Sequence, residues 1–144
     1  TSVTIPNSVI TIGVSAFSDC RGLTSVNIPE SVTTIGDHAF NGCSRLTSVI
    51  IPGSVTTIEY CAFRKCTGLT SVTIPESVTT IGHGAFSLCD KIEQIYCEGT
   101  TPPKIYSDTF TDIYSTCKLN VPKGCSTVYG TSPYWRNITN FIEL

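Results

Sequence analysis

The chain has eight cysteines and two histidines among its 144 residues. These side chains have the widest chemical range: a disulfide framework, a metal site, a nucleophile or a general base. Spacing narrows the choice. Cys20, Cys43, Cys66 and Cys89 recur every 23 residues, and Cys97 and Cys125 stand where the same pattern places Ile74 and Val78. A thiol that repeats in step with apolar residues behaves as a small hydrophobe. Zinc sites use close pairs such as C-x-x-C with further Cys or His partners, and no such pair occurs. Equivalent residues on stacked parallel strands lie about 4.8 Å apart, whereas disulfide Cβ atoms prefer about 3.8 Å. Buried, reduced thiols are therefore expected at these six positions. Cys61 and Cys117 fall at other offsets and are the candidates for exposed thiols.

His38 and His83 both fall in a variable "G-x-x-A-F" turn, where any polar residue would serve. Asp37 beside His38 is adjacency in sequence, which does not make an oriented base. No Ser/His/Asp set, carboxylate pair or glycine-rich phosphate loop appears at a useful spacing. The expectation is no enzyme, with no catalytic, cofactor-binding or metal-ligating residue. Asn137-Ile138-Thr139 matches the N-glycosylation triplet, a pattern that also arises by chance.

The elements that must position these residues follow from the period. "IP" begins at Ile5, Ile28, Ile51 and Ile74, and "AF" at Ala16, Ala39, Ala62 and Ala85. Landmarks at one fixed interval of this size signal a solenoid. In residues 23–45, Val26 and Ile28 are two apart, the strand period, and face one side. Leu23 holds the incoming corner. Pro29 lacks an N–H and ends the strand. Val32 and Ile35 lie on a second short extended segment, and Gly36 permits the next corner. "AFNGC" predicts one helical turn that directs Ala39, Phe40 and Cys43 inward. Eight side chains per coil thus face the axis. One coil has too little apolar burial to offset the entropy of ordering it. Stacked neighbours close both of its faces, so the repetition is a structural device.

Composition agrees. Only 14% of residues are charged and the net charge is −2, against about 25% charged in ordinary globular domains. No face collects Lys and Arg, which argues against nucleic acid. No apolar stretch approaches the roughly 20 residues of a membrane-spanning helix, so direct membrane insertion is not expected. Thr1 aligns with Thr24, Thr47 and Thr70 without the preceding Leu, which reads as a fragment of a longer chain. Its uncapped N-terminal end is a candidate for self-association.

After Asp90 the pattern drifts. Ile92, Ile95 and Cys97 still take the places of Leu69, Val72 and Ile74, but Phe110 falls one residue late. Leu119, Val121 and Pro122 begin a last half-coil, with Cys125 and Val128 in the places of Val78 and Ile81. Coils are thus expected at about 1–22 (partial), 23–45, 46–68, 69–91, 92–115 and 116–128 (partial). Residues 129–144 form a C-terminal cap. There Ser132-Pro133 predicts a helix start, and Trp135, Ile138 and Ile142 are expected to cover the last coil.

The combined pattern L-x-x-V-x-I-P, V-x-x-I-G, A-F-x-x-C, as in "LTSVTIPESVTTIGHGAFSLC", resembles the BspA-like (Treponema pallidum type) leucine-rich repeats over the whole chain. The "VPKG" and the Tyr, Trp, Asn and Ile after it resemble the segment that closes such arrays. The resemblance implies an α/β repeat solenoid, right-handed, with a parallel sheet on its concave side. It also implies export to the bacterial cell surface and adhesion or protein binding. It brings no catalytic residue.

The sheet's outward rows can be read by alternation. One is Ser2, Ser25, Ser48, Ser71, Gln94 and Lys118; the other is Thr4, Asn27, Ile50, Thr73, Tyr96 and Asn120. The candidate binding surface is Tyr96, Ile50, Gln94, Lys118, Asn27 and Asn120, facing a protein or glycan of a host or neighbouring cell. Tyr96 is the expected centre, because interface hot spots are enriched in Tyr; the other reading is that Tyr96 simply packs over Lys118 or Asn120 on the next strand. A different class of function is a passive spacer that holds another domain away from the cell. The paired threonines Thr33-Thr34, Thr56-Thr57 and Thr79-Thr80 suit an exposed extended segment; an ice-binding array is the other reading of them.

Overall fold

The computed structural model describes residues 1–144. Eleven short strands form in chain order. Five of them, β1 (Ser2–Thr4), β3 (Ser25–Asn27), β5 (Ser48–Ile50), β7 (Ser71–Ile74) and β9 (Gln94–Cys97), come one per coil. Between them lie the two-residue strands β2 (Thr11–Ile12), β4 (Thr34–Ile35), β6 (Thr57–Ile58) and β8 (Thr80–Ile81). Then come β10 (Lys118–Val121), helix α1 (Ser126–Thr131) and β11 (Phe141–Glu143). The large sheet has the order β1-β3-β5-β7-β9-β10-β11 and the small one β2-β4-β6-β8. All pairs are parallel, and Val3 pairs Val26 as Val26 pairs Val49. The chain is one parallel solenoid.

The eight inward positions hold in every full coil. Leu46, Val49, Ile51, Val55, Ile58, Ala62, Phe63 and Cys66 are all buried, as are their equivalents in residues 23–45 and 69–91. Phe17, Phe40, Phe63, Phe86 and Phe110 form a column with ring centroids 5.2–5.3 Å apart and nearly parallel planes. Such offset stacking adds to the burial itself.

Polar repeats have partners in the preceding coil. Ser31, Ser54 and Ser77 each donate a hydroxyl to a valine carbonyl there, at 2.6–2.7 Å. Cys43, Cys66 and Cys89 each donate a thiol to a phenylalanine carbonyl, at 3.1–3.3 Å. The serines satisfy carbonyls that stacking would otherwise bury alone, and the thiols add a second donor to phenylalanine carbonyls that already accept a backbone N–H.

The "AF" turn differs from the helical turn read from sequence. It is a chain of i→i−3 bonds, such as Asn41 N–H to His38 O and Cys43 N–H to Phe40 O. Left-handed residues bracket it in the first four coils: Ser15, His38, Cys61 and Gly84 at one end, and Asp19, Gly42, Lys65 and Leu88 at the other. This alternation turns every second N–H toward the next coil, so His38, Phe40 and Gly42 donate to Tyr60, Ala62 and Arg64 carbonyls. The bonds offset the cost of left-handed backbone at non-glycine residues. Gly36 serves a different need: a Cβ there would lie 2.7 Å from the Ile12 carbonyl oxygen.

The C-terminal segment continues the core by other means. Phe110 stays in the column although it is one residue late, and the Thr80–Lys104 bridge shows that the extra residue is absorbed before Lys104. Asp112 replaces a missing backbone partner, since its carboxylate accepts the Leu88 N–H at 2.6 Å. Trp135 closes the column 5.6 Å from Phe110, and its Nε1–H donates to the Pro103 carbonyl at 2.7 Å. Tyr129 packs edge-on against Trp135 and donates to the Gly99 carbonyl at 2.8 Å.

Several expectations for this segment change. The helix precedes Ser132 instead of starting there; Ser132 is its C-cap, and Trp135–Asn137 form a short 3-10 helix. Val128 is exposed on α1 and Tyr129 is buried in its stead, because a helix here replaces the second extended segment. Trp135 and Ile138 are buried as expected, but Ile142 is partly exposed. Ile142 belongs to β11, which pairs with β10 as a seventh strand.

Candidate functional site

The thiols come first. All eight are free. Seven are buried, and burial pushes Cys97 up to about 12 and Cys117 up to about 11. Cys43 rises to about 11 through burial and then the neighbouring Cys20. The contact with Cys89, followed by burial, raises Cys66 further. Two sequence expectations fail. Cys20 is exposed because its coil has a neighbour on one side only. Cys61 and Cys117 are buried. Cys61 fits because Gly84 in the next coil leaves room; a Cβ there would come 3.0 Å from the Cys61 Sγ. Cys117 is buried one residue beyond exposed Thr116, which is in register with the corner leucines.

The histidines line the turn corner. His38 meets Tyr60 edge-on at 5.1 Å. His83 stacks on Tyr106 at 3.8 Å and contacts Asp108 Oδ1 through Nδ1 at 3.0 Å. Asp37 accepts the Tyr60 N–H and does not orient His38. No three His, Cys, Asp or Glu side chains converge to hold a metal. No helix is long and apolar enough to cross a membrane.

The outward rows of the large sheet lie in register. Asn27, Ile50, Thr73, Tyr96, Asn120 and Ile142 form one continuous row. Ile50 is 72% exposed, the most of any large apolar side chain in it. Asn27 and Lys118 are exposed, and Gln94 and Tyr96 are half-buried. Asn120 departs from expectation. It is 3% exposed, and its Nδ2 donates to Gln94 Oε1 at 3.1 Å and to the Ile95 carbonyl at 3.2 Å. The cause is β11, which places Ile142 beside it on the side away from Tyr96. Asn120 therefore supports the surface from beneath.

The structure brings Gln94, Tyr96, Lys118 and Asn120 together on β9 and β10. Ile50 sits two strands away on β5, and Asn27 lies beyond it on β3. A groove of about 410 Å³ adjoins Tyr96, lined by Thr73, Glu98, Pro122, Lys123 and Leu144 among others. Leu144 reaches it because its N–H donates to the Val121 carbonyl at 3.0 Å. Sequence reasoning missed this wall. "FIEL" lacks the "IP" landmark that marks the other strands.

The in-register sheet, the phenylalanine column and the 23-residue pitch define a leucine-rich-repeat solenoid. A family model described as the BspA type leucine rich repeat region matches in six copies, over residues 1–117 and 33–141. The chain belongs to the BspA-type leucine-rich repeat family. Among solved structures it is similar to a T. pallidum leucine rich repeat protein, with 26% identity and a TM-score of 0.80 over 99% of this chain and 69% of that one. It is also similar to a leucine-rich repeat protein from Bacteroides ovatus, with 31% identity and a TM-score of 0.67 over 83% of this chain and 31% of that one. A leucine rich cell surface protein from Faecalibacterium prausnitzii shows 29% identity and a TM-score of 0.79 over 96% of this chain. The chain spans 34% of that protein. No curated protein matches the sequence.

Proposed function

We propose that the chain is a non-enzymatic binding module of a bacterial cell-surface protein. Its large sheet binds a protein or glycan of a host or neighbouring cell. The observation behind this reading is the distribution of large side chains on the outward rows. Ser and Thr fill half of the positions, Asn27 and Asn120 two more, while Ile50, Gln94, Tyr96 and Lys118 interrupt them, and three of these four adjoin on β9 and β10. None of the four points into the core, although Gln94 also accepts from the Tyr96 hydroxyl and from buried Asn120. The surface location rests on similarity to the F. prausnitzii cell surface protein. Tyr96→Ala, tested against a panel of matrix proteins and glycans, should weaken binding by about 2 kcal/mol or more, the hot-spot scale, with thermal stability unchanged. Unchanged affinity for every ligand would move the site elsewhere.

The spacer reading draws support from the first four coils, whose corresponding row is Ser2, Ser25, Ser48 and Ser71. A spacer shows no saturable ligand and tolerates deletion of one coil. Self-association would use the open end of the first coil, where Val3, Val9 and Phe17 are only partly buried. Sedimentation of this chain beside Val9→Lys tests that contact.

A further inference from the structure

The amide of Gln94 has one orientation, and hydrogen-bond chemistry decides it. The Ile95 carbonyl can only accept, so the Asn120 atom 3.2 Å from it is the Nδ2 donor. That nitrogen's second hydrogen points at Gln94, so the Gln94 atom 3.1 Å away is the Oε1 acceptor. The Tyr96 hydroxyl donates to the same oxygen at 3.2 Å. Gln94 Oε1 therefore holds two donors, and its Nε2 turns away with both hydrogens unclaimed by the protein. Asn120 is buried, which fixes the network from below. The side chain of Lys118 stands beside Gln94, on the Cα paired with it across β9 and β10.

The two outward rows carry charge of one sign only. Neither outward row contains Asp or Glu, and Lys118 is the only charged residue in either. Glu93 and Glu98 flank β9 at its two ends, outside those rows, and Glu98 lines the groove beside Tyr96 together with Lys123. The whole chain nevertheless carries a net charge of −2. A fixed pair of amide donors and a neighbouring ammonium, on rows without Asp or Glu, suit an oxyanion, and the carboxylate of Glu or Asp is the oxyanion an unmodified polypeptide carries. On the other row, Tyr96 and exposed Ile50 lie two strands apart, about 9–10 Å. Tyr96 offers a sugar one ring to stack on and Ile50 offers none, whereas the apolar side chains of a polypeptide cover both.

We propose that Gln94 Nε2 and Lys118 Nζ form a carboxylate-reading site on the large sheet, and that its partner is a protein segment bearing Glu or Asp next to apolar residues. The inference rests on the sheet face being the binding surface. Gln94→Glu is the sharpest variant. A carboxylate at this position still accepts from Tyr96 and Asn120, so the network survives while both donors are replaced by negative charge.

The test titrates isotope-labelled protein with acetyl-Gly-Leu-Glu-Leu-Gly-amide and with its Gln counterpart, followed by NMR. The Glu peptide should shift the Gln94 side-chain NH2 and the Lys118 resonances. It should bind about tenfold more tightly than the Gln peptide, the worth of a hydrogen bond to a charged group. Gln94→Glu and Lys118→Met should each erase that preference without lowering the melting temperature. Equal binding of the two peptides on the sheet would overturn the carboxylate site and leave the sheet-face reading standing. Shifts confined to other faces would overturn both. A stronger response on these residues to digalacturonate than to the Glu peptide would assign the site to acidic sugars and overturn the protein partner.

Discussion

The coil at residues 46–68 and the segment from residue 98 onward build the same core with different parts. In the coil, the same contacts recur from neighbour to neighbour: Thr56 bonds to the Thr33 carbonyl as Thr79 bonds to that of Thr56, and Phe63 lies between Phe40 and Phe86. In the C-terminal segment the partners are unique. Trp135 stands next in the column after Phe110, a carboxylate of Asp112 takes the place of a carbonyl, and Tyr129 on a helix fills the space of an extended segment. The difference separates two jobs. Repetition makes length, and departure from it makes an end and a distinctive patch of surface.

The largest effect should come from breaking the column at its centre. Phe63→Ala removes a buried ring stacked on both sides and should cost about 3–5 kcal/mol, measured by urea unfolding. Phe17, half-buried at the end of the column, should cost clearly less when truncated. Equal costs would mean that position along the stack carries no energetic weight.

Trp135→Ala should cost a similar about 3–5 kcal/mol locally but break cooperativity. Residues beyond 98 should loosen first, seen as early loss of protection in α1 and β11 while β3, β5 and β7 stay protected. A single cooperative transition would show that the end is not a separate device.

Asp112→Ala tests a single substituted partner. The Leu88 N–H then turns to water, so the expected cost is about 1 kcal/mol. No equivalent carboxylate serves the Lys65 N–H, which bonds to the Ser87 carbonyl.

The smallest effect concerns pH. Bonds from Ser126, then from the Gly124 N–H, hold the Glu143 carboxyl below its ordinary range. A lowered value means the ionised form is favoured in the folded state. Its contribution is present above the ordinary carboxylate range and fades as pH falls through the lowered value. Protection of the Ser126 amide should follow that acid titration in the native chain and lose it in Glu143→Gln.

The inward face was readable because it repeats. Leu, Val, Ile, Ala, Phe and Cys at fixed offsets say which way they point, and even late Phe110 found its column. What the sequence hid depends on neighbours. Cys20 shares the offset of Cys43 but lacks a coil on one side, so the same letter is exposed. Cys61 is buried only because residue 84 is Gly. Asn120 reads as outward by alternation, yet β11 covers it, and β11 lacks the landmark that marks its siblings. The left-handed brackets of the turn were also invisible, since Ser, His, Cys, Asp, Lys and Leu all occupy them. Of the candidate site, alternation found Tyr96, Gln94, Lys118 and Ile50, but not the amide network that orients Gln94.

The cysteines themselves provide the most direct test, because they sample almost every coil. Only the thiolate reacts with alkylating reagents, so burial and raised pKa both slow the reaction. Native-state alkylation resolved by peptide mass spectrometry should label Cys20 at once. Cys125, in the C-terminal segment and 8% exposed, should follow through local opening. Cys43, Cys66 and Cys89 should react only as fast as the whole chain unfolds. Labelling of Cys66 at the rate of Cys20, or of Cys125 more slowly than Cys66, would contradict a core made rigid by repetition and closed by a separately built end.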